Sequence, residues 1–227
     1  MKYVKSISAL TGFVLFVFAL ILLRYIPFSD YFHEQQVAEQ IRNAGGRVGW
    51  EGMWIEGAVL PAEAISDDMV EGLNSLSRFS YLSVESVNAD SSKEYIGRIN
   101  RIKGLSSLGI NDNTLTDEDI LFLSGNKTLR TIDLTSTNLS DDSLKNLASF
   151  PKLKEINIYN ASHFTDKSIE YLSAFPELET VRLYTPRLYP PDSSGNEITN
   201  EAVEEFLRKR PTIRLGWSKR YLIEDQI

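Results

Sequence analysis

Few side chains in this sequence could carry out acid–base or nucleophilic chemistry. The 227 residues contain two histidines, His33 and His163, and no cysteine. A general acid or base needs a positioned neighbour and a pocket, and most of the chain separates the two histidines. Without cysteine, disulfides, thiolate catalysis and cysteine-based zinc sites are excluded. We therefore predict that the protein is not an enzyme and uses no cofactor.

Acidic residues recur in close pairs that could bind Ca²⁺ if they clustered. The pairs are Asp67-Asp68, Asp117/Asp119 and Asp141-Asp142. Each follows a serine or threonine that could begin a helix, where the hydroxyl accepts a hydrogen bond from a free backbone N–H and the acid favours the positive helix end. Helix capping explains these acids without a metal, so we predict no metal site.

The acidic caps belong to a unit that recurs along the chain. Each unit opens with the apolar frame L-x-x-L-x-L, and the frames that start at Leu105, Leu129, Leu153 and Leu178 are 24, 24 and 25 residues apart. Apolar residues at helical spacing follow each frame. A strand this short must pair with the strand of the next unit. The pattern therefore predicts an α/β fold in which stacked units form a parallel sheet.

About six such units are expected over residues 55–227, and Ile55 and Phe79 open the first two. In the last unit an insertion near residues 185–196, rich in Pro, Gly and Ser, predicts a surface loop. Ile213-Arg-Leu215 could add a closing strand as a carboxyl-terminal cap. Residues 29–54 contain a predicted helix, Tyr31–Ala44, that ends at Gly45-Gly46 and caps the first unit; a simple linker helix is the alternative.

The chain resembles leucine-rich repeat proteins of the ribonuclease-inhibitor-like and cysteine-containing subtypes, as in F-box leucine-rich proteins and many bacterial repeat proteins. The resemblance rests on the pattern L-x-x-L-x-L-x-x-(N/C/T)-x-(L/I)-(T/S)-D-x-x-(L/I)-x-x-L, covers about Ile55 to Leu215, and places Asn113, Thr137 and Ala161 at the N/C/T position. It implies a right-handed solenoid with a parallel concave sheet and convex helices, and protein–protein binding as the usual role. The asparagine or cysteine inside the turn is mostly absent, so the internal hydrogen-bond ladder is expected to be thin. No F-box-like segment precedes the repeats, so a ubiquitin-ligase adaptor role does not carry over.

Residues 1–28 predict a transmembrane signal anchor. Ser6 to Leu23 contains no charged residue, and its 18 residues would form about 27 Å of helix, close to the thickness of the bilayer hydrocarbon. A cleaved signal peptide is the alternative, but no A-x-A-like site follows. Lys2 and Lys5 favour a cytoplasmic amino terminus, so we expect a single-pass membrane protein whose repeats are extracytoplasmic.

The net charge of −7 is unevenly distributed along the chain. Residues 1–28 hold three basic residues and no acid, which leaves −10 for residues 29–227. This excess of acid argues against a nucleic-acid partner and against lying flat on anionic lipid. Capping and solubility account for much of it.

A candidate partner-binding patch follows from the alternation of the strands. Residues between the apolar strand positions point away from the core, and they become aromatic and charged towards the carboxyl end. Tyr159 and Tyr184 occupy equivalent positions in adjacent units, so we expect them to be sheet neighbours about 5 Å apart. Tyr and Arg often anchor interfaces, and the predicted patch comprises Tyr159, Arg182, Tyr184, Arg187 and Tyr189. Alternatively, the tyrosines only stack on one another at an exposed edge.

The sequence therefore predicts a membrane-tethered, non-catalytic module for protein–protein recognition or scaffolding. An envelope structural protein that self-associates through its repeats is the alternative. Fold alone does not decide between these functions.

Overall fold

The computed structural model describes residues 28–85, 92–112, 114–124, 126–135, 139–159, 163–184 and 198–217. The described chain begins with helix α1 (Phe28–Asn43), an antiparallel hairpin of β1 (Arg47–Glu51) and β2 (Trp54–Pro61), and one 3₁₀ turn (Ala62–Ala64). Helices and strands then alternate: α2 (Asp67–Ser75), β3 (Tyr81–Glu85), α3 (Ser92–Ile99), β4 (Ser107–Asn111), α4 (Asp117–Leu123), β5 (Thr131–Thr135), α5 (Asp141–Leu147), β6 (Glu155–Tyr159), α6 (Asp166–Leu172), β7 (Thr180–Tyr184), α7 (Asn200–Lys209) and β8 (Arg214–Trp217).

The eight strands within the described residues form one sheet in the order of the chain. Strand β1 is antiparallel to β2, and every later pair is parallel. Equivalent residues of successive units pair with one another, which gives a row across the sheet: Ala58, Leu82, Leu108, Ile132, Ile156, Val181 and Leu215. The α/β architecture of repeated strand–helix units that the spacing predicted is confirmed.

The recurring apolar residues fill one continuous core that extends from Val37 to Ile213. In β3, for example, Leu82 and Val84 are fully buried, whereas Tyr81 is 41 % exposed. Phe150, Phe164 and Phe175 are among the largest fully buried side chains. Full burial of one such side chain contributes about 1.5–3 kcal/mol. Packing between strand and helix within a unit, and between adjacent units, therefore stabilises the stack. The helices cover one face of the sheet and leave the other open.

Helix α1 covers the first repeat unit through Val37, Ala38 and Ile41, which are buried. The sequence predicted a helix over Tyr31–Ala44, and α1 spans Phe28–Asn43 and is followed by Gly45 with a φ of +80°. Strand β1 was not predicted from the sequence, because residues 47–51 contain one aliphatic residue and mostly exposed side chains. Strand β1 adds one antiparallel strand before the first repeat unit.

The predicted anchor, residues 1–28, lies outside the described residues except for Phe28, which begins α1. Among the described residues, we find no helix that is both long and apolar enough to cross a bilayer. The insertion near 185–196 also lies outside the described residues. After it, Ile198, Val203 and Phe206 are buried, and β8 closes the sheet where Ile213-Arg-Leu215 had suggested a strand.

Candidate binding surface

The open face of the sheet is formed by the outward residues of β3 to β7. Because the parallel strands are in register, these residues form three rows. The rows contain Tyr81, Ser107, Thr131, Glu155 and Thr180; then Ser83, Gly109, Asp133, Asn157 and Arg182; then Glu85, Asn111, Thr135 and Tyr159. Hydroxyl and amide groups dominate the face, and ionic and aromatic side chains are spaced among them.

A depression of about 260 Å³ lies in the open face over β3, β4 and β5. Gly109 is at its centre, between Ser83 and Asp133 in the register. A Cβ at Gly109 would approach the Ser83 Oγ to 3.4 Å, so even the smallest side chain would begin to fill the depression. Tyr81 and Glu85 also line it. Small side chains in the middle of the face therefore create the concavity.

Asp133 is the acidic residue next to Gly109 in this depression. Burial is the main cause that raises the pKa of its carboxyl, and the nearby Glu155 carboxylate acts in the same direction. The Thr135 hydroxyl donates a hydrogen bond to Asp133 Oδ1 at 3.1 Å, and this bond and the charge of Arg182 oppose the increase. Asp133 is therefore a carboxylate that would gain from a cationic group placed beside it.

Arg182 is held in place by the strand next to its own. Its guanidinium donates to the Glu155 carboxylate and to Asn157 Oδ1, the latter at 2.8 Å. The Arg182 and Glu155 side chains are about one-third exposed, so the ion pair itself is worth only about 0–1 kcal/mol. Its main effect is to fix the orientation of the guanidinium on the open face.

Three of the five residues in the predicted patch lie on adjacent strands of this face. Tyr159 pairs directly with Tyr184 across β6 and β7, as the equal spacing predicted, and Tyr159 is 40 % exposed. Arg182 is two residues before Tyr184 on the same strand, so it lies on the same face. Arg187 and Tyr189 lie outside the described residues. The depression over β3 to β5 was not among the predicted sites, although the run of small outward residues was a signal of it.

The acidic caps connect successive units. The Asp117 carboxylate accepts hydrogen bonds from the Ser140 backbone N–H at 2.9 Å and from its hydroxyl. Asp141 accepts the same pair of bonds from Thr165, and Asp166 accepts them from Thr199. Sequence analysis assigned these acids to their own helix ends and missed the partner in the next unit. Within the described ranges, no three or more His, Asp or Glu side chains are placed together so that they could hold a metal ion.

His33 and the buried Asp112 each have a structural partner. The His33 Nε2 lies 2.7 Å from the Ser75 hydroxyl, which itself donates to the Gly72 carbonyl, so His33 is the donor and does not activate this serine. The Tyr95 hydroxyl donates to the buried Asp112 carboxylate at 2.5 Å. Burial, and then this bond, raise the pKa of Tyr95 above its ordinary value. These pairs stabilise the fold.

Comparison with known proteins does not name a family for this chain. No protein-family model matches it, and no curated protein matches it significantly.

Proposed function

We propose that this protein is a leucine-rich repeat module, tethered to a membrane by residues 1–28, that recognises a protein partner through its open face without catalysing a reaction. The observation that carries the proposal is the open face itself, a continuous in-register surface formed by parallel strands of successive units. Such stacked repeats present extended binding surfaces.

The repeat spacing supports the leucine-rich repeat assignment. The units that start at residues 55, 79, 105, 129 and 153 are 24 to 26 residues long, and each supplies one strand and one helix. The L-x-x-L-x-L residues are the buried ones. The assignment implies a right-handed solenoid with the sheet on its concave side. A partner would then contact several units at once.

The chemistry of the open face favours a protein partner over a metabolite. Ligand pockets for small molecules usually enclose about 300–1,000 Å³ and are mostly apolar. The depression is smaller, at about 260 Å³, and it is lined mainly by polar side chains. It suits one side chain of a partner. Tyr81 and Tyr159 are exposed on either side of it and are of the residue type that often anchors interfaces.

The tether is supported by the uncharged run from Ser6 to Leu23 and by the basic residues on both sides of it. A retained anchor would hold the repeats at a membrane, and the flanking charges favour the extracytoplasmic side. The partner would be a protein in that compartment or in the same membrane.

Site-specific crosslinking would test this function. A photoreactive amino acid at Tyr81 or at Tyr159, on opposite parts of the open face, should crosslink the same partner in the protein's own cell. The same group at Lys145, which is exposed on α5, should not. Equal crosslinking from all three positions, or none from the two tyrosine positions, would contradict a role for the open face.

Self-association is a second candidate, supported by one exposed apolar site. Leu121 and Phe122 are adjacent on α4, on the helical side of the sheet, and are 51 % and 49 % exposed. Contact between copies of the chain would remove this apolar surface from water.

A further inference from the structure

The two long edges of the parallel sheet differ in charge. One edge is formed by the loops that lead from each helix into the next strand, and the other by the turns that lead from each strand into the next helix. The loops before β3 to β6, residues 76–80, 100–106, 124–130 and 148–154, contain seven Lys or Arg residues and no Asp or Glu. The helix starts at the opposite edge carry acids, among them Asp117, Asp141 and Asp166.

Five of the seven cations form an exposed group, which we call the basic edge: Arg78, Lys103, Lys127, Arg130 and Lys152. The other two are engaged in closer ion pairs, Arg101 with Asp67 and Lys154 with Glu179. Parallel strands in register place these loops side by side, so the basic edge is continuous over four units. It ends at the loop before β7, where Glu177 and Glu179 occur.

Helix α1 begins at this same edge. The buried Glu34 carboxylate accepts a hydrogen bond from the Ile55 backbone N–H at 2.7 Å, which places it at the start of β2. His33 contacts Ser75, the last residue of α2, just before the loop that contains Arg78. Farther along, the end of α1 lies near the other end of β2, since a Cβ at Gly46 would meet Leu60 and Ile41. The helix therefore runs parallel to β2, and its amino end extends beyond the basic edge.

Exposed apolar side chains collect at the same place, and we call them the apolar corner: Tyr31, Phe32, Trp50 and Met53. Tyr31 and Phe32 are 38 % and 52 % exposed in the first turns of α1, and Trp50 and Met53 are each 37 % exposed where β1 turns into β2. Arg78 connects the corner to the basic edge, because its guanidinium lies 5.4 Å from the centre of the Trp54 ring and near Glu51.

We propose that the basic edge and the apolar corner rest on the surface of an anionic lipid bilayer, so that the tethered repeats stand on this edge with the acidic edge directed away. The inference rests on the tether in the proposed function. The uncharged run ends at Leu23, five residues before α1, so a span there would deliver the chain to this edge. Lys and Arg near a membrane are attracted to anionic lipid, and Trp and Tyr favour the interface.

The net charge of the soluble part does not oppose this contact. Its excess of acid lies largely at the helix starts of the far edge, whereas a surface charge acts over about 8–10 Å in physiological salt. Favourable interaction of Lys and Arg with the ends of helices would explain some of the basic residues. It does not explain why aromatic residues and the start of α1 lie at the same edge.

Because the chain has no cysteine, single-cysteine variants can report on each edge. S149C places a fluorescent label at the basic edge beside Lys152, and D142C is the matched position at the acidic edge; both residues are exposed. The full chain is reconstituted in vesicles of phosphatidylcholine, with or without phosphatidylglycerol, that contain a nitroxide-headgroup lipid. We expect phosphatidylglycerol to increase quenching at S149C and not at D142C. Salt at 1 M, where the Debye length is about 3 Å, should remove the increase.

Charge-reversal variants of the basic edge provide a second test of the inference. In the S149C background, K103E/K127E/K152E should lower the equilibrium constant for lying on this edge by roughly fivefold or more per charge. The variant K145E/K167E/R208E, on exposed helix positions, should not. Equal quenching at both edges, or no effect of the first triple variant, would overturn the inference. Either result would reject contact with lipid, even if the basic edge binds an acidic protein. Failure of the full chain to float with vesicles would instead contradict the tether.

Discussion

The Asp141 carboxylate accepts two hydrogen bonds from Thr165, although the two residues belong to different units. The Thr165 backbone N–H lies 2.9 Å from one carboxylate oxygen and its hydroxyl 2.7 Å from the other. The Ser168 hydroxyl also donates to Asp141. The residue before Asp141, Ser140, has the same relationship with Asp117. One short motif therefore caps a helix and also connects that helix to the next unit.

Replacing Asp141 with Ala should destabilise the protein by about 1–3 kcal/mol, because the Thr165 and Ser168 donors would lose a charged acceptor in a partly buried site. Urea unfolding of the full chain in detergent would measure the change. Asp142→Ala, at the exposed neighbouring position, is the control and should change the free energy of unfolding by less than about 0.5 kcal/mol. Equal effects of the two substitutions would show that Asp141 acts only through charge at the helix start.

Asp133 should make the protein less stable at neutral pH than a neutral residue would. Its folded-state pKa is raised above the ordinary value of 3.8, so its protonated form is favoured in the folded state. The resulting stability is present below that ordinary value and is lost as pH rises through the raised pKa. Asp133→Asn should therefore raise the urea midpoint at pH 7 relative to the parent and lose this advantage near pH 3. If Asp133→Asn raised the urea midpoint more at pH 3 than at pH 7, the folded-state pKa of Asp133 would not be raised.

Two glycine substitutions should have opposite effects. In Gly46→Ala, the new Cβ would lie 2.7 Å from the Val59 carbonyl oxygen and 2.7 Å from Leu60 Cδ2, so the junction between α1 and the hairpin must move and stability should fall. In Gly97→Ala, the new Cβ would meet no atom within 4 Å, and the exposed helical position should gain about 0.5–1 kcal/mol. Thermal unfolding of both variants measures the difference. If Gly97→Ala were destabilised, the position of Gly97 on α3 would not be as open as the structure shows.

Tyr95→Phe should cost about 1–3 kcal/mol, because it leaves the buried Asp112 carboxylate without its 2.5 Å hydrogen bond from the phenol. Asp112 Oδ1 would keep its bonds from Thr114. Tyr81→Phe, at an exposed position on the open face, is the matched control and should have little effect on unfolding by urea. Similar costs for both changes would indicate that the phenol of Tyr95 does not stabilise Asp112.

Leu121→Glu separates the two candidate functions. If copies of the chain associate through α4, a charge at this exposed position should convert the oligomer to a monomer in light scattering, because burying an unpaired carboxylate is costly. Crosslinking from Tyr81 should be unchanged. Lys145→Glu, exposed on α5, is the control. An oligomer that persists in Leu121→Glu would exclude contact through this site.

The strand and helix positions followed from the sequence where the pattern was local and repeated. The frames at Leu105, Leu129 and Leu153 placed three strands and the helices after them, because buried positions in such units recur at fixed spacing. Strand β1 was missed because its place in the sheet depends on pairing with β2, and residues such as Arg47 and Glu51 are exposed. Pairing partners distant in the chain leave little trace in local periodicity.

The sequence predicted less of the candidate site than of the fold. Alternation within a strand assigned Tyr159 and Arg182 to the open face, but it could not show that Arg182 is held by Glu155 and Asn157. The depression around Gly109 depends on three neighbouring strands having small residues at once. The bond from Thr165 to Asp141 likewise depends on the distance between units, which a single unit does not encode.

The reversed direction of β1 determines where the molecule could change in length. A new unit must pair with a strand parallel to its own, and the hairpin offers none at its outer edge, since β1 runs antiparallel to β2. Duplication of a unit within the stack, or addition after β8, would preserve every existing type of junction. Descendants of this gene could therefore lengthen or shorten the surface while the first helix and hairpin remain unchanged.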